Sequence, residues 1–579
     1  MTRATRTTLL LAIAVAAATF AVFARAIGFE FVLWDDPQYI RDNPLVQPQI
    51  PWPPDGMFTP ALGYPIPLTV ALYRLVAVLA GVTPAAFHAL NVALHAVNAV
   101  LFFFLLRRTA SVRVAALGTA LWALHPLVVE PVAWCTGTKD LLYAAGLLLT
   151  LHGALERSRV PPWLQLVAVA AALAKPTAVV LPVCLLWTAV ALDGRAGWRR
   201  PGLAVSLVLT GVVALAIWGA ASFLAQHAGP DGYRTVDASV VTAPQRLAAV
   251  LQALDLQVRH VVWPHGLLPQ YFRLTDLQPT DAPVVRGLLA AALLAGVAVA
   301  QLRAPDRRLR WWVGLLAITY APVSMLVPIL RFTCDSYLYV PLLAVAALVA
   351  LTLESALGDR RLQAAALLAA LCLLGLTLAQ QGLWRNSVTL WGGNWRADPH
   401  HGLVTKRYAE ALDAAGDHAG AYALVRHSLA ELKSERMVDG MVLAVVADRA
   451  PPAEARALYL WAYAHQPQLR ADAHRNFCTF VARQRPELTA AERRNLAVAL
   501  DALRRFHAKN REVEALLALG SLAGEQRVWP EAGALFEQAF ALSGQPEAAR
   551  AALLAYQSAG LPDAVARLQA SLARLAPPP

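Results

Sequence analysis

Two carboxylates stand side by side at Asp35 and Asp36, in the stretch GFEFVLWDDPQYIRDNP over residues 28–44, just where an apolar run from Leu9 to Ile27 ends. A positioned Asp can take the proton of a hydroxyl nucleophile, a contribution of roughly a hundred- to ten-thousand-fold in rate. Asp-Asp-Pro is also a good turn former, because a short carboxylate bonds to backbone N–H groups beside it. The pair admits both roles at once, one Asp working and the other holding the turn. A second group lies in HPLVVEPVAWCTGTKD, with His125, Glu130, Lys139 and Asp140 between apolar runs. Ionisable groups at the edge of a membrane are costly unless paired, so their convergence there points to a site. Snorkelling by Lys139 and helix capping by Asp140 are the plainer alternatives. Lys175, in LAKPTA, joins two apolar runs with no loop between them, so its charge needs an anion or a route to the surface. Arg331, in LRFTCDSYLY, is placed similarly and is followed by Asp335, Tyr337 and Tyr339. An Arg grips phosphate oxygens bidentately; the tyrosines read first as an aromatic belt.

The elements that must position these groups are set by composition. The chain has 579 residues, 58% hydrophobic and 15% charged, with a mean hydropathy of +0.48, too apolar for a water-soluble protein of this size. Runs of helix-spanning length lie near 8–27, 87–106, 114–127, 140–155, 163–175, 176–193, 203–225, 284–302, 311–330, 337–353 and 362–382, about eleven spans. The formal charge of +12 sits in Arg clusters in alternate connections: Arg107, Arg108 and Arg113; Arg157 and Arg159; Arg195, Arg199 and Arg200; Arg303, Arg307, Arg308 and Arg310; Arg360 and Arg361. That pattern is the positive-inside rule, with the N-terminus in the cytoplasm, and it assigns the charge to a lipid bilayer rather than to nucleic acid. The same parity argues that the first span is retained rather than cleaved as a signal peptide. The acidic groups then gather outside, in a first outer loop over 28–86 and a long one over 226–284 that carries Tyr233, Arg234, His260, Trp263, His265, Tyr271 and Arg273. No C-x-x-C pair occurs among Cys135, Cys184, Cys334, Cys372 and Cys478; Cys135 and Cys334, both at outer helix ends, could pair.

After residue 382 the long apolar runs stop. LVTKRYAEALDAAGDHAGAYALVRHSLAEL, from Leu403, has the pattern of two amphipathic helices about a Gly-Asp turn, and LLALGSLAGEQRVWPEAGALFEQAFAL, from Leu516, repeats the plan with a small residue at Ala532 and an aromatic at Phe536. The expectation is an all-α chain: a polytopic membrane domain over 1–382, then four to five tetratricopeptide-like helix pairs over 383–579. With eleven spans, that solenoid lies outside and offers a concave surface to a polypeptide.

The co-linear set of Phe31, Val32, Asp35, Asp36, Ile40, Asn43 and Pro44, with PLTVALYRLVAVLAGVTPAAFHALNVALHAVNAVLFFFLLRR, LHPLVVEPVAWCTGTKDLLYA, LAKPTAVVLPVCL, SYLYVPLLA and WRNSVTLWGGNWRADPHH, resembles the transmembrane and tetratricopeptide-repeat O-mannosyltransferase family and its bacterial relatives. These are multispanning glycosyltransferases of the GT-C type. The resemblance covers nearly the whole chain. It implies transfer of a sugar from a polyprenyl-phosphate donor to a protein or glycan outside the inner membrane, with an acidic residue of the first outer loop as base. Asp35 is the first choice, with Asp36 beside it and Glu130 as a further carboxylate. Lys139, Lys175 and Arg331 would then meet the donor phosphate, and His125, Asp140 and Tyr337 the acceptor or the sugar. No cofactor is required; a divalent ion at Asp35 and Asp36 is conceivable but not favoured.

Neither G-x-x-x-x-G-K-[ST] nor H-E-x-x-H occurs, which disfavours an ATP-driven pump and a zinc peptidase. A transporter of the lipid-linked sugar and a membrane-anchored repeat scaffold remain as alternatives. The transporter expects charged groups near the bilayer midplane and repeated spans, and the sequence reading finds neither.

Overall fold

The computed structural model describes residues 3–51, 65–156, 160–227, 243–271, 278–326, 332–354, 360–399, 402–431, 516–517, 520–521, 523–524, 529–543 and 546–575. The chain forms two compact units, Met1–Gly393 and Asn394–Pro579, and the described residues contain helices and no strands. In the first unit the α-helices are α1 (Arg3–Phe23), α2 (Pro67–Ala80), α3 (Pro84–Arg107), α4 (Val112–Ala123), α5 (Val129–Ala133), α6 (Thr138–Ala154), α7 (Trp163–Ala174), α8 (Leu181–Asp193), α9 (Leu203–His227), α10 (Ala243–Val262), α11 (Ala282–Arg303), α12 (Arg307–Tyr320), α13 (Pro341–Thr352), α14 (Arg360–Leu383) and α15 (Ser387–Ala397). Proline stands at the start of α2, α3 and α13, where its fixed φ suits the first turn and its missing N–H costs nothing.

Among the described residues, five segments are long and apolar enough to cross a membrane: Arg6–Gly28, Pro84–Arg107, Pro176–Asp193, Ala282–Arg303 and Gln363–Leu383. A sixth forms if Val112–Ala123 and Pro126–Ala133, bent by 59° at their break, count as one. The about eleven apolar runs therefore do not translate into as many full-length spanning helices. The run expected over 163–175 stops at Lys175 before Pro176, the run over 337–353 keeps only the twelve residues of α13, and the run over 114–127 breaks at His125-Pro126. Proline explains these breaks, since it can neither donate a backbone bond nor leave its predecessor helical. Conversely, two segments assigned to outer loops are helical: α2 within 28–86 and α10 within 226–284. α10 keeps Gln252, Asp255, Gln257 and His260 buried, so it escapes a search for uniformly apolar runs.

α3 packs against α1, α4 and α6. Its inward stripe is polar, with His88, Asn91, His95 and Asn98 all buried at the i, i+3, i+7, i+10 spacing of one helical face. The segment from α4 to α6 runs helix, break, short helix, break, helix. Its second break is tight at Gly137, where a Cβ would come within 2.2 Å of the Pro131 carbonyl oxygen.

In the second unit, α16 (Gly402–Ala414) and α17 (His418–Glu431) form a helix–turn–helix about Gly416, whose φ of 89° lies in the left-handed region glycine tolerates. α18 (Trp529–Ser543), α19 (Pro546–Ser558) and α20 (Pro562–Leu575) pack around Ala532, Ala539, Ala549, Ala552, Tyr556 and Leu568. The expected pairs between these two groups fall on 432–515, outside the described residues.

Candidate functional site

The loop after α1 is built by the residues whose spacing is so regular in the sequence. Tyr39, Ile40 and Val46 pack on Ile66, Val70, Tyr73 and Phe87, and Asn43 fixes the turn by accepting from Leu45 N at 3.0 Å while donating to Tyr39 O at 3.2 Å. Arg74 closes the far end through the carbonyls of Leu45, Gln47 and Ile50. On the other side Glu30 N donates to Arg385 O, Leu33 N to Ser387 Oγ, and Trp391 Nε1 to Leu33 O. Trp34 and Trp391 stack with centroids 4.7 Å apart.

Held this way, the two aspartates part company. Asp36 is fully buried and accepts from Val32 N at 3.0 Å, Thr136 N at 3.0 Å and Thr136 Oγ1 at 2.6 Å. Burial pushes its carboxyl up from the ordinary 3.8 to about 6, against the downward pull of those three bonds. Asp36 thus ties the loop to the 135–137 break. Asp35 keeps 18% of its side chain exposed and lies 3.8 Å from Lys139 Nζ. The Lys139 ammonium also lies 4.7 Å from the Tyr39 ring centroid and 5.0 Å from that of Trp134, the arrangement that stabilises a cation on aromatic faces.

The break itself is held from α3. Asn91 Nδ2 donates to the carbonyls of Trp134 and Cys135, and Thr138 Oγ1 and Tyr73 OH donate to Cys135 O. Asp140 forms a buried ion pair with Lys175, and Gly137 precedes α6 without a side-chain cap, so Asp140 is a partner for Lys175 rather than a helix cap. Lys175 does not snorkel: it is 7% exposed, and its Nζ lies 6.0 Å from the Tyr337 ring. The α7 end that carries it is fixed by Thr69 Oγ1 donating to Ala174 O at 3.0 Å.

Glu130 accepts from Asp335 N at 3.0 Å and Ser336 Oγ at 3.1 Å, which anchors the turn Asp335–Leu338 to α5. Asp335 in turn accepts from Tyr271 OH at 2.8 Å, with His260 Nδ1 4.0 Å away. Burial and the neighbouring Arg259 hold the His260 imidazole down at about 4, so it is neutral at physiological pH; burial and Asp335 push the Tyr271 hydroxyl up. His125 Nδ1 accepts from Leu127 N at 3.2 Å and its Nε2 faces Val261 O at 3.1 Å, so the ring is the Nε2–H tautomer and serves as a cap and a tie to α10.

Asp35, Asp36, Glu130, Lys139, Asp140, Lys175 and Tyr337 therefore form one connected cluster, with His125 at its α10 edge. Arg331, Tyr233, Arg234, Arg273 and Cys478 lie outside the described residues. Cys135 and Cys334 form no disulfide with each other, Cys135 Sγ lying 3.3 Å from His88 Nε2 and Cys334 Sγ 3.2 Å from Ser336 Oγ. Tyr339 is no belt residue, being fully buried with its hydroxyl 2.8 Å from His95 Nδ1. Among the described residues no group of three or more His, Cys, Asp or Glu side chains could hold a metal ion, and Asp36 turns both of its oxygens to protein donors.

Sequence reasoning missed Thr136, Ser336 and the α3 stripe, and named Tyr271 only as a residue of the long outer loop with no role. The stripe had a visible signal, four polar residues at helical spacing inside the apolar run 87–106 and its edge. Thr136 and Ser336 had none, since a hydroxyl becomes part of a site only through the carboxylate that folding brings to it. Compared with known protein families, with curated proteins and with solved structures, the chain matches none.

Proposed function

We propose that the Met1–Gly393 unit is a membrane glycosyltransferase that moves a sugar, mannose in the nearest analogy, from a polyprenyl-phosphate donor to a hydroxyl of a protein or glycan on the non-cytoplasmic side of a bacterial inner membrane. The observation that carries it is the difference within the Asp pair: Asp36 is fully buried and bonded to Val32 and Thr136, while Asp35 keeps 18% of its side chain exposed 3.8 Å from the Lys139 ammonium. In this reading Asp35 takes the proton of the attacking hydroxyl as that oxygen bonds to the anomeric carbon, and the carbon–oxygen bond to the donor phosphate breaks. Lys175 meets the growing charge of the leaving phosphate, exchanging Asp140 for it, with Arg331 a second cation. Glu130 and His125 hold the frame, and Tyr337 faces the sugar. The finer architecture belongs to the same proposal: a GT-C arrangement of about eleven traverses, some by short or broken helices, with the N-terminus cytoplasmic and the C-terminal unit a periplasmic tetratricopeptide-like solenoid that presents the acceptor.

Mass spectrometry of envelope glycoproteins tests it. A deletion strain should lose one class of glycan, wild-type protein should restore it, and Asp35→Asn, folded and inserted, should restore it at a rate roughly two to four orders of magnitude lower. Full restoration by Asp35→Asn would remove the base from the scheme.

One observation favours a second reading, a transporter of the lipid-linked sugar. His95 lies at the middle of α3, buried on a polar stripe in which His88 Nδ1 and Asn98 Oδ1 have no hydrogen-bond partner among the described residues, and such groups in a spanning helix mark conduction paths. Translocation of a fluorescent polyprenyl-phosphate sugar in proteoliposomes without an acceptor would support it.

A further inference from the structure

Resting on the transferase reading, we propose that Lys139 is a second catalytic contact to the acceptor, its ammonium and Asp35 receiving the attacking hydroxyl between them, and that it is not a ligand of the donor phosphate.

The gap is the first argument. Lys139 Nζ stops 3.8 Å from Asp35 Oδ2, beyond direct hydrogen-bond distance. A hydroxyl oxygen about 2.8 Å from each atom fits with an angle of about 90° at that oxygen, accepting from the ammonium and donating to the carboxylate. The second argument is restraint. The ammonium lies over the rings of Tyr39 and Trp134, both buried, and these belong to the two segments that Asp36 and Thr136 join. Tyr39 N also donates to Asp35 O at 2.9 Å. Ammonium and base are thus carried on one braced frame, which fixes their separation before an acceptor arrives. The third argument is division of charge. The neighbouring cation, Lys175, faces Asp140 and Tyr337 rather than Asp35, so the two lysines attend to different carboxylates and different halves of the reaction. In the step, the hydroxyl proton passes to Asp35 Oδ2 as the oxygen bonds to the anomeric carbon, and the carbon–oxygen bond to the donor phosphate breaks, its electron pair leaving with the polyprenyl phosphate. Lys139 keeps its proton and holds one of the hydroxyl oxygen's two lone pairs, leaving the other for attack.

The test uses the full chain in detergent, with the polyprenyl-linked sugar fraction and the envelope protein fraction of a deletion strain as donor and acceptor. Binding of polyprenyl monophosphate is measured separately, without acceptor. Lys139→Met should bind polyprenyl monophosphate within about threefold of wild type, which also reports a folded protein, while transfer at saturating donor falls about a hundredfold. The donor KM should stay unchanged. Lys139→Arg, which keeps the charge on the aromatic faces, should recover at least a tenth of the lost rate. Lys175→Met should lose polyprenyl monophosphate binding more than tenfold. The inference is overturned if Lys139→Met loses polyprenyl monophosphate binding as Lys175→Met does, or transfers at the wild-type rate. A wild-type protein that transfers no sugar overturns the transferase reading itself, and this inference with it.

Discussion

Asp36→Asn probes the carboxylate that the fold ties to Thr136, as distinct from Asp35, the proposed base, and its effect can be worked from the site. Burial raises the Asp36 carboxyl from 3.8 to about 6, a shift of about two units, or roughly 3 kcal/mol at 1.36 kcal/mol per unit. Because the folded-state value lies above the unfolded one, the folded protein binds this proton more tightly. The contribution to stability is complete below about pH 4 and is lost as pH rises through about 6. An asparagine has no such dependence. Its carbonyl can still accept from Thr136, but its amide meets Val32 N–H, donor against donor, at a cost of about 1–3 kcal/mol. At pH 7.5 the relief of burying a charge and the lost bond therefore nearly offset, and the variant should unfold within a few degrees of wild type. At pH 4.5 about 2 of those roughly 3 kcal/mol of relief are gone, and the variant should be less stable relative to wild type than at pH 7.5 by about that amount. Thermal unfolding of both proteins in the same detergent from pH 4.5 to 7.5 gives the difference, in which other titrating groups cancel. A difference that is constant across that range would show that Asp36 is not a buried group with a raised pKa, and the separation of the pair would fail.

Three further outcomes follow from the same geometry. Lys175→Met strands Asp140 in a buried setting and should cost about 3–5 kcal/mol, most of it recovered in Lys175→Met/Asp140→Leu; a double-mutant cycle by thermal unfolding that finds the two losses additive would deny the pair. Deleting residues from about 400 onward should leave polyprenyl monophosphate binding intact and abolish transfer to protein, so normal modification of a protein acceptor by the truncated chain would free the second unit of that role. Reporter fusions at Thr109 and after Pro579 should read cytoplasmic and external respectively; an external Thr109 or a cytoplasmic C-terminus would defeat the topology.

Local chemistry carries far in this chain. The all-helical class follows from runs of Leu, Ala and Val, and the helix breaks at His125-Pro126 and Lys175-Pro176 follow from proline, whose effects reach only its immediate neighbours. The Asp pair, Glu130, Lys139, Asp140 and Lys175 also stand out in the sequence, because an ionisable group in an apolar context is costly wherever the chain folds. α10 does not stand out, since its polar residues face inward and make it resemble a surface loop.

What each ionisable group does was decided by the tertiary structure. Asp35 and Asp36 are adjacent and chemically identical, and only the meeting of residue 36 with residue 136 makes one an anchor and leaves the other beside Lys139. Lys175 called for an anion, and any carboxylate or phosphate would have served; the fold supplies Asp140, 35 residues away. The sequence by itself determined that charges sit among apolar helices and must be compensated, because desolvation acts on each residue alone. Which partner compensates which charge depends on distances between segments remote in the chain, and a pairwise term of that kind exists only once the helices have packed.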